Sequence, residues 1–427
     1  MAKVIPLGGE TDPPRPSTAE LVARAQSLFT PNYQPAPIVL ERGEGVWVWD
    51  RDGQRYLDLV AGIAVSALGH KHPALVAAIQ AQAERLLHTS NLYWNEPSIA
   101  LAEAVLARCF GERIYFCNSG AEANEAAIKL ARRFHHDRGD RARTEILTFE
   151  QSFHGRTMGA LAATAQPKYH QGFEPLPGGF RYLPFGDLGA LEAAAGPATA
   201  AIMFEPLQGE GGVRIAPPGF LAGARAIADR SGALLVFDEV QTGVGRTGRL
   251  FCHQHDGVTP DIMSVAKGIG GGLPLGAMVT TARVGASLVV GTHATTYGGN
   301  PLACAAGRVV LETVSAPGFL DHVTAVGDQL RQGLAEIGRR LGVFSEVRGL
   351  GLLIGAELAP DVKFDAKAIV DACRAQGVLV HVAGPRVLRL APALILQGPE
   401  AEQGLGRIEA AVEGLRAGPG RAGTARY

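Results

Sequence analysis

Five short apolar runs limit what this chain can fold into. They are "RIYFC", "EILTF" (145–149), "AAIMF" (200–204), "ALLVF" (233–237) and "IMSVA" (262–266). A run that is apolar at nearly every position predicts a strand buried on both faces. Helix-like stretches separate them. "ALVAAIQAQAERLL" precedes the first run, "GFLAGARAIADRSG" precedes the fourth, and "AEANEAAIKLARRFH" sets Ala127, Leu130, Ala131 and Phe134 on one side. Strands of this kind alternating with helices predict an α/β fold built on a mostly parallel sheet covered on both faces.

Near residue 310 the pattern changes. "GDQLRQGLAEIGRRLG" reads as an amphipathic helix, "GLLIGAEL" as a strand, "AKAIVDACRAQG" as a helix and "VLRLAPAL" as a strand. These predict a second, smaller α+β domain. Upstream, "GEGVWVWDRDGQRYLDLVAG" alternates Val46, Val48 and Asp50 with Trp47 and Trp49 and reaches the turn signal "RDG", so a hairpin is expected that joins the smaller domain. The expected division is a disordered segment at 1–20, an N-terminal segment at 21–74, a large domain at 75–309 and a small one at 310–427. Residues 1–20 and the tail "RAGPGRAGTARY" are rich in proline, glycine and charge, which predicts disorder.

Composition matters here for what it excludes. A formal net charge of -1 argues against nucleic acid or an anionic membrane as partner, since both call for a basic surface. No run of ~18 apolar residues predicts a transmembrane helix. The N-terminus lacks the apolar core of a signal peptide. Five scattered cysteines, without C-x-x-C spacing, read as reduced thiols in a cytoplasmic protein.

In open parallel sheets ligands sit beyond the carboxyl ends of the strands. Each of the five runs ends in polar or glycine-rich residues: Asn118-Ser119-Gly120-Ala121-Glu122, Glu150 to Arg156, Glu205 to Gly212, Asp238-Glu239-Val240-Gln241, and Lys267. Five such endings together predict a shared cleft. Ser119 with Glu122 fits a capping box, and the same helix start also fits an anion cradle, where free amides and the helix dipole hold a phosphate. Asp238 ends an apolar strand and needs a partner, either a buried arginine or a backbone amide or the protonated ring nitrogen of a bound heterocycle. Lys267 ends another. It either snorkels outward along its stem, or burial lowers its pKa and leaves an amine nucleophilic toward an aldehyde. Gly268, Gly270, Gly271 and Gly272 are expected to leave room beside it. Amine, carboxylate and phosphate cradle are together the parts that pyridoxal 5'-phosphate requires.

Two motifs are rejected. "GVGRTG" (243–248) matches a dinucleotide-binding pattern, yet it starts beyond its strand and no apolar helix follows. Cys252, His253 and His255 lack a fourth ligand and read as surface residues, so no metal is expected. His70 and His72 read as part of a turn.

In order along the chain, "NSGAEANEAAIKLAR", "FHGRT", "EPLQGEGG", "LLVFDEVQTGVGRTG", "AKGIGGGLPLGA" and "THATTYGGNPLA" resemble the class III, ornithine-type aminotransferases of pyridoxal-phosphate fold type I. The similarity runs from about 28 to 415. It implies that Lys267 carries the cofactor aldehyde and that Asp238 pairs with the pyridine nitrogen. Phe153 and Val240 would pack on the two ring faces, and Gln241 would bond near the ring hydroxyl. Ser119, Gly120 and Ala121 would hold the phosphate, with Glu239 among the cofactor-binding residues. Thr296 would reach the phosphate of a neighbouring subunit, which implies a homodimer. Arg156 would grip the substrate α-carboxylate. Glu210 would pair with Arg389 for the first substrate and release it for 2-oxoglutarate. A structural salt bridge is the alternative reading of that pair.

"SNLYWNEP", "FCNSGAEANEAAIKLAR" and "LRLAPALIL" look closest to class members acting on N2-acetylornithine. This implies transfer of the δ-amino group to 2-oxoglutarate, as in arginine biosynthesis. His293-Ala294-Thr295-Thr296 departs from the more common H-G-S-T, and Trp94 stands where tyrosine is common. Thr295 therefore lies in the expected substrate site, and succinylornithine, ornithine or another ω-amino acid remains an alternative donor.

Overall fold

The computed structural model describes residues 15–417. In chain order the first strands are β1 (Leu40–Glu44), β2 (Trp47–Asp50), β3 (Arg55–Asp58), β4 (Arg113–Cys117), β5 (Glu145–Phe149) and β6 (Phe180–Leu183). Next come β7 (Thr199–Phe204), the two-residue pair β8 (Leu207–Gln208) and β9 (Arg214–Ile215), then β10 (Leu234–Asp238), β11 (Ile262–Val265) and β12 (Gly276–Thr280). The last are β13 (Phe344–Leu350), β14 (Leu353–Leu358), β15 (Val378–Leu379), β16 (His381–Val382) and β17 (Val387–Leu390).

The central sheet has seven strands in the order β4-β12-β11-β10-β7-β5-β6. All run parallel except β12, which lies antiparallel between β4 and β11. Neighbouring residues of one strand feed opposite layers. Leu147, Ile202 and Leu235 pack with Phe220, Leu221 and Ala224 of one helix. Ile146, Met203 and Val236 pack with Ala127, Leu130, Ala131 and Phe134 of another, Gly120–Asp137. Burial on both faces is why these strands read as continuous apolar runs. Each fully buried Leu, Ile or Phe here contributes about 1.5–3 kcal/mol.

Strand β12 was not anticipated. Its first residue, Gly276, looks like a strand breaker. Here it lets β12 approach the end of β4, where a Cβ would meet the Ser119 carbonyl oxygen at 2.6 Å.

A second sheet, β13-β14-β17-β16, is antiparallel. It is covered by the helix Phe319–Leu341, which buries Val323, Val326, Leu330, Leu334 and Ile337 at three- and four-residue spacing. A third sheet, β1-β2-β3-β15, joins distant parts of the chain, because β15 pairs parallel with β3 through Val378 with Leu57 and Leu379 with Asp58.

One expectation needs correction. Residues 15–20 are ordered, because Ser17 caps the helix Thr18–Leu28. Its Oγ accepts from the Glu20 amide at 3.2 Å, and the Glu20 carboxylate accepts from the Ser17 amide at 2.7 Å. This capping box satisfies backbone donors that would otherwise be left open. Residues 1–14 of the expected disordered segment, and the tail from 418, lie outside the described residues. No described helix is long and apolar enough to cross a membrane.

Candidate active site

The carboxyl ends of β4, β5, β7, β10 and β11 converge on a cavity of about 450 Å³. Its wall includes Ser119, Gly120, Ala121, Phe153, Arg156, Glu210, Asp238, Val240, Gln241 and Lys267. These endings lie far apart in sequence and share only their position at strand ends.

Lys267, separated from the end of β11 by one residue, has φ +49. That left-handed value is costly for a side chain other than glycine, asparagine or aspartate, and such strain concentrates at functional sites. Burial lowers the pKa of its amine, opposed by the nearby charge of Glu210. Of the glycines that follow, only Gly272 borders the cavity. Gly271 serves packing instead, since a Cβ there would meet Val310 at 2.8 Å.

Asp238 ends β10 and is 2% exposed. Its Oδ2 accepts from His154 Nδ1 at 2.7 Å and from Asn124 Nδ2 at 2.7 Å, while Oδ1 accepts from the Val240 amide at 3.0 Å. Burial disfavours charge on His154, but the hydrogen bond and charge of Asp238 outweigh it and raise the histidine above its ordinary value. His154 and Asn124 received no role from the sequence, although both sit inside quoted motifs. A buried carboxylate in need of partners was the available signal.

Glu205 is a third missed residue. It lies at the cavity wall and accepts from the amides of Phe153 at 3.0 Å and Gly209 at 3.1 Å. Burial lifts its pKa to about 7, with the charge of His154 pulling the other way.

At the opposite end, Ser119 is the N-cap of the helix Gly120–Asp137 and accepts from the Glu122 amide at 3.2 Å. The expected box is shifted by one residue: Glu122 accepts from the amide of Asn118 at 2.6 Å, not from that of Ser119. Gly120 admits close approach, since a Cβ there would meet Val240 Cγ1 at 2.5 Å. An open helix start, a buried carboxylate and a desolvated lysine around one cavity fit pyridoxal phosphate.

Arg156 extends over Tyr169 at 4.0 Å and toward Phe153 at 5.5 Å from the ring centroids. Arg389 lies on β17, 2% exposed, behind the cavity wall. Its Nη1 donates to Glu210 Oε1 at 2.5 Å and to Gln241 Oε1 at 3.4 Å. Opposing charge from Arg389 and Lys267 outweighs burial and holds the Glu210 carboxyl below its ordinary value.

Besides Arg389, three expected site residues lie off the cavity wall. Thr295 accepts from Asn118 Nδ2 at 3.3 Å and from the Gly298 amide at 3.2 Å, which places it next to the helix start. Thr296 is exposed. Glu239 is fully buried and points away from the cavity. It accepts from the amides of Cys252 and His253, at 2.5 and 2.8 Å, and from His253 Nδ1 at 2.8 Å. It therefore anchors the turn at 252–255, and His253 is its buried hydrogen-bond partner, not a surface residue. Among the described residues no cluster could hold a metal ion.

The Aminotransferase class-III family profile matches residues 28–412. An acetylornithine aminotransferase from Xanthomonas axonopodis pv. citri is 51% identical over 90% of this chain and 95% of its own. A succinylornithine transaminase/acetylornithine aminotransferase from Pseudomonas aeruginosa is 48% identical over 91% of this chain and 95% of its own. The crystal structure of N-acetylornithine aminotransferase from Stenotrophomonas maltophilia superposes with a TM-score of 0.81 at 43% identity, covering 93% of this chain and 99% of that one. With a family match over nearly its whole length and relatives this similar, the chain belongs to the class III aminotransferases, which depend on pyridoxal phosphate.

Proposed function

We propose that the protein transfers the δ-amino group of N2-acetylornithine to 2-oxoglutarate, giving N-acetylglutamate semialdehyde and glutamate in arginine biosynthesis. The observation that carries this reading is the closed Glu210–Arg389 pair at 2.5 Å, whose Glu210 lines the same cavity as Arg156. With Arg389 occupied, Arg156 is the free cation for a substrate bearing one carboxylate, and its planar fork matches that group. When Glu210 releases it, Arg389 can receive the second carboxylate of 2-oxoglutarate.

The cofactor, when bound, supplies the aldehyde that takes up the amine and the ring that accepts electrons from the reacting carbon. The Lys267 amine would take the proton from that carbon and carry it across to the cofactor side, work that suits an amine with lowered pKa. Asp238, oriented by His154 and Asn124, would pair with the ring nitrogen. Phe153 and Val240 would confine the ring, Gln241 would stand by its hydroxyl, and Ser119, Gly120 and Ala121 would take the phosphate.

A donor panel tests the substrate: N2-acetylornithine, succinylornithine, ornithine and 4-aminobutyrate, each with 2-oxoglutarate. We expect kcat/KM for acetylornithine to exceed that for ornithine and 4-aminobutyrate by ~10-fold or more, the scale set by one good polar contact at the acyl group. Equal values across the panel would sink the assignment. A preference for succinylornithine would move it to the other acyl group, as the name of the Pseudomonas relative suggests.

The same reading includes a cytoplasmic homodimer in which Thr296 reaches the partner's phosphate. The unpaired state of all five cysteines supports the location, and the exposure of Thr296 supports the sharing. We also read 75–309 as the large domain, with 21–74 and 310–427 forming the small one. The pairing of β3 with β15 supports that grouping.

A further inference from the structure

The loop from Gly209 to Val213 carries Glu210, and it rests on one row of the second sheet. Arg348 of β13 stands opposite Gly355 of β14, and Gly355 stands opposite Arg389 of β17. Residues directly opposite in antiparallel strands share a face. Two arginines therefore rise from the same face with a glycine between them. Val213 fills the gap: a Cβ on Gly355 would meet Val213 Cβ at 2.8 Å.

The two arginines hold the loop differently. Arg389 holds a side chain, the Glu210 carboxylate, at 2.5 Å. Arg348 holds backbone. Its Nε donates to the carbonyls of Gly212 and Val213 at 3.0 and 3.2 Å, and its Nη2 donates to Gly212 at 2.7 Å. Those carbonyls are presented by left-handed backbone, φ +104 at Gly212 and φ +52 at Val213. Their charge environments differ too. Nη1 of Arg348 donates to Glu346 and Glu357, each at 2.6 Å, so its charge is already matched. Arg389 has Glu210 as its one salt-bridge partner among the described residues, and its buried Nη2 has no hydrogen-bond partner. One arginine is free to change anions while the other is not.

We propose that Arg348 is a positioning residue for the Glu210–Arg389 pair. It fixes the loop backbone on the sheet, so that the pair closes in register and opens by rotation of the Glu210 side chain. This rests on reading that pair as the switch between substrates. Without the anchor, the loop backbone is free to drift and the closed pair loses its register. The state that favours a substrate with one carboxylate is then less populated. Arg389 is freed more often, which favours a dicarboxylate.

The test uses the cofactor-loaded enzyme and follows its absorbance in single half-reactions with N2-acetylornithine, glutamate and 2-oxoglutarate. In Arg348→Gln we expect the KM for acetylornithine to rise about tenfold, the scale of one charge-assisted hydrogen bond. The KM for 2-oxoglutarate should hold or fall, the absorbance of the loaded enzyme should hold, and glutamate should gain as an amine donor relative to acetylornithine. Arg348→Lys keeps the charge between Glu346 and Glu357 but loses the fork. It should show a smaller change in the same ratio, and it carries the test if the glutamine variant does not fold. An unchanged acetylornithine-to-glutamate ratio in both variants overturns the proposal. So does an equal loss in both half-reactions, which marks a merely structural role. Glu210→Ala separates this from the underlying reading. If that variant leaves the ratio unchanged, the switch itself fails; if it shifts the ratio and Arg348→Gln does not, only the role of Arg348 fails.

Discussion

Lys267 and Asp238 were legible because each is a charged side chain ending a strand that is otherwise apolar, and such a group needs a reason to be there. Lys267→Ala should abolish the absorbance of the lysine-bound cofactor, read in the visible spectrum of the reconstituted protein. What could not be read was the set of neighbours that complete each charge. His154, Asn124 and Glu205 come from three other segments, and no local pattern links them to Asp238. Removing the carboxylate in Asp238→Ala leaves His154 buried and unpaired. We expect a loss of about 3–5 kcal/mol of unfolding free energy, measured by denaturant titration of the cofactor-free protein. Glu205 gives a pH signature. Its folded pKa is raised from 4.5 to about 7, so the folded state keeps the proton longer than the unfolded one. Its contribution to stability is complete below the unfolded value and is lost as pH rises toward about 7. His154, raised from its ordinary 6.5, acts in the same direction but only as pH rises above that value. The denaturation midpoint of the cofactor-free protein should therefore fall across this range, and fall less in Glu205→Gln.

Strand ends were legible to within about one residue where the strand is buried on both faces, as "EILTF" and β5 coincide. Strand β12 was not, because its glycine is demanded by a neighbour that the sequence does not reveal. The helix Gly120–Asp137 shows the same limit. Its Ser119 cap was readable, but the need for Gly120 arises from Val240, which comes from another strand end. Gly120→Ala sets two effects against each other. Alanine favours the helix by up to about 1 kcal/mol. The clash at 2.5 Å with Val240 costs about 1–3 kcal/mol unless Val240 moves, and the open side is the cavity. The relaxed outcome is a protein of nearly unchanged stability whose cofactor site is narrowed. Cofactor titration should show affinity lower by ~10-fold or more, with a thermal midpoint close to that of the parent.

For the molecule as a whole, the exposed apolar residues are informative. Leu92, Tyr93 and Trp94 are 80%, 72% and 92% exposed, and Tyr297, next to Thr296, is 62% exposed. Exposed groups of this kind mark interaction surfaces, and a second copy of the chain is the occupant we propose. Sedimentation should give a dimer. Mixing Lys267→Ala with Thr296→Asp, each weak alone, should restore activity as hybrids form, because one hybrid site has both residues intact. No recovery on mixing would place Thr296 in its own subunit's site or in none. The pairing of β3 with β15 bears on how the chain is made. The first three strands emerge early from the ribosome, yet their fourth, Val378–Leu379, follows about 320 residues later. At ~5–20 residues per second the edge of β3 stays open for roughly a quarter of a minute to a minute. Throughout that interval the nascent chain presents an unpaired strand that another chain could capture, so truncation before residue 378 should leave a product dependent on chaperones.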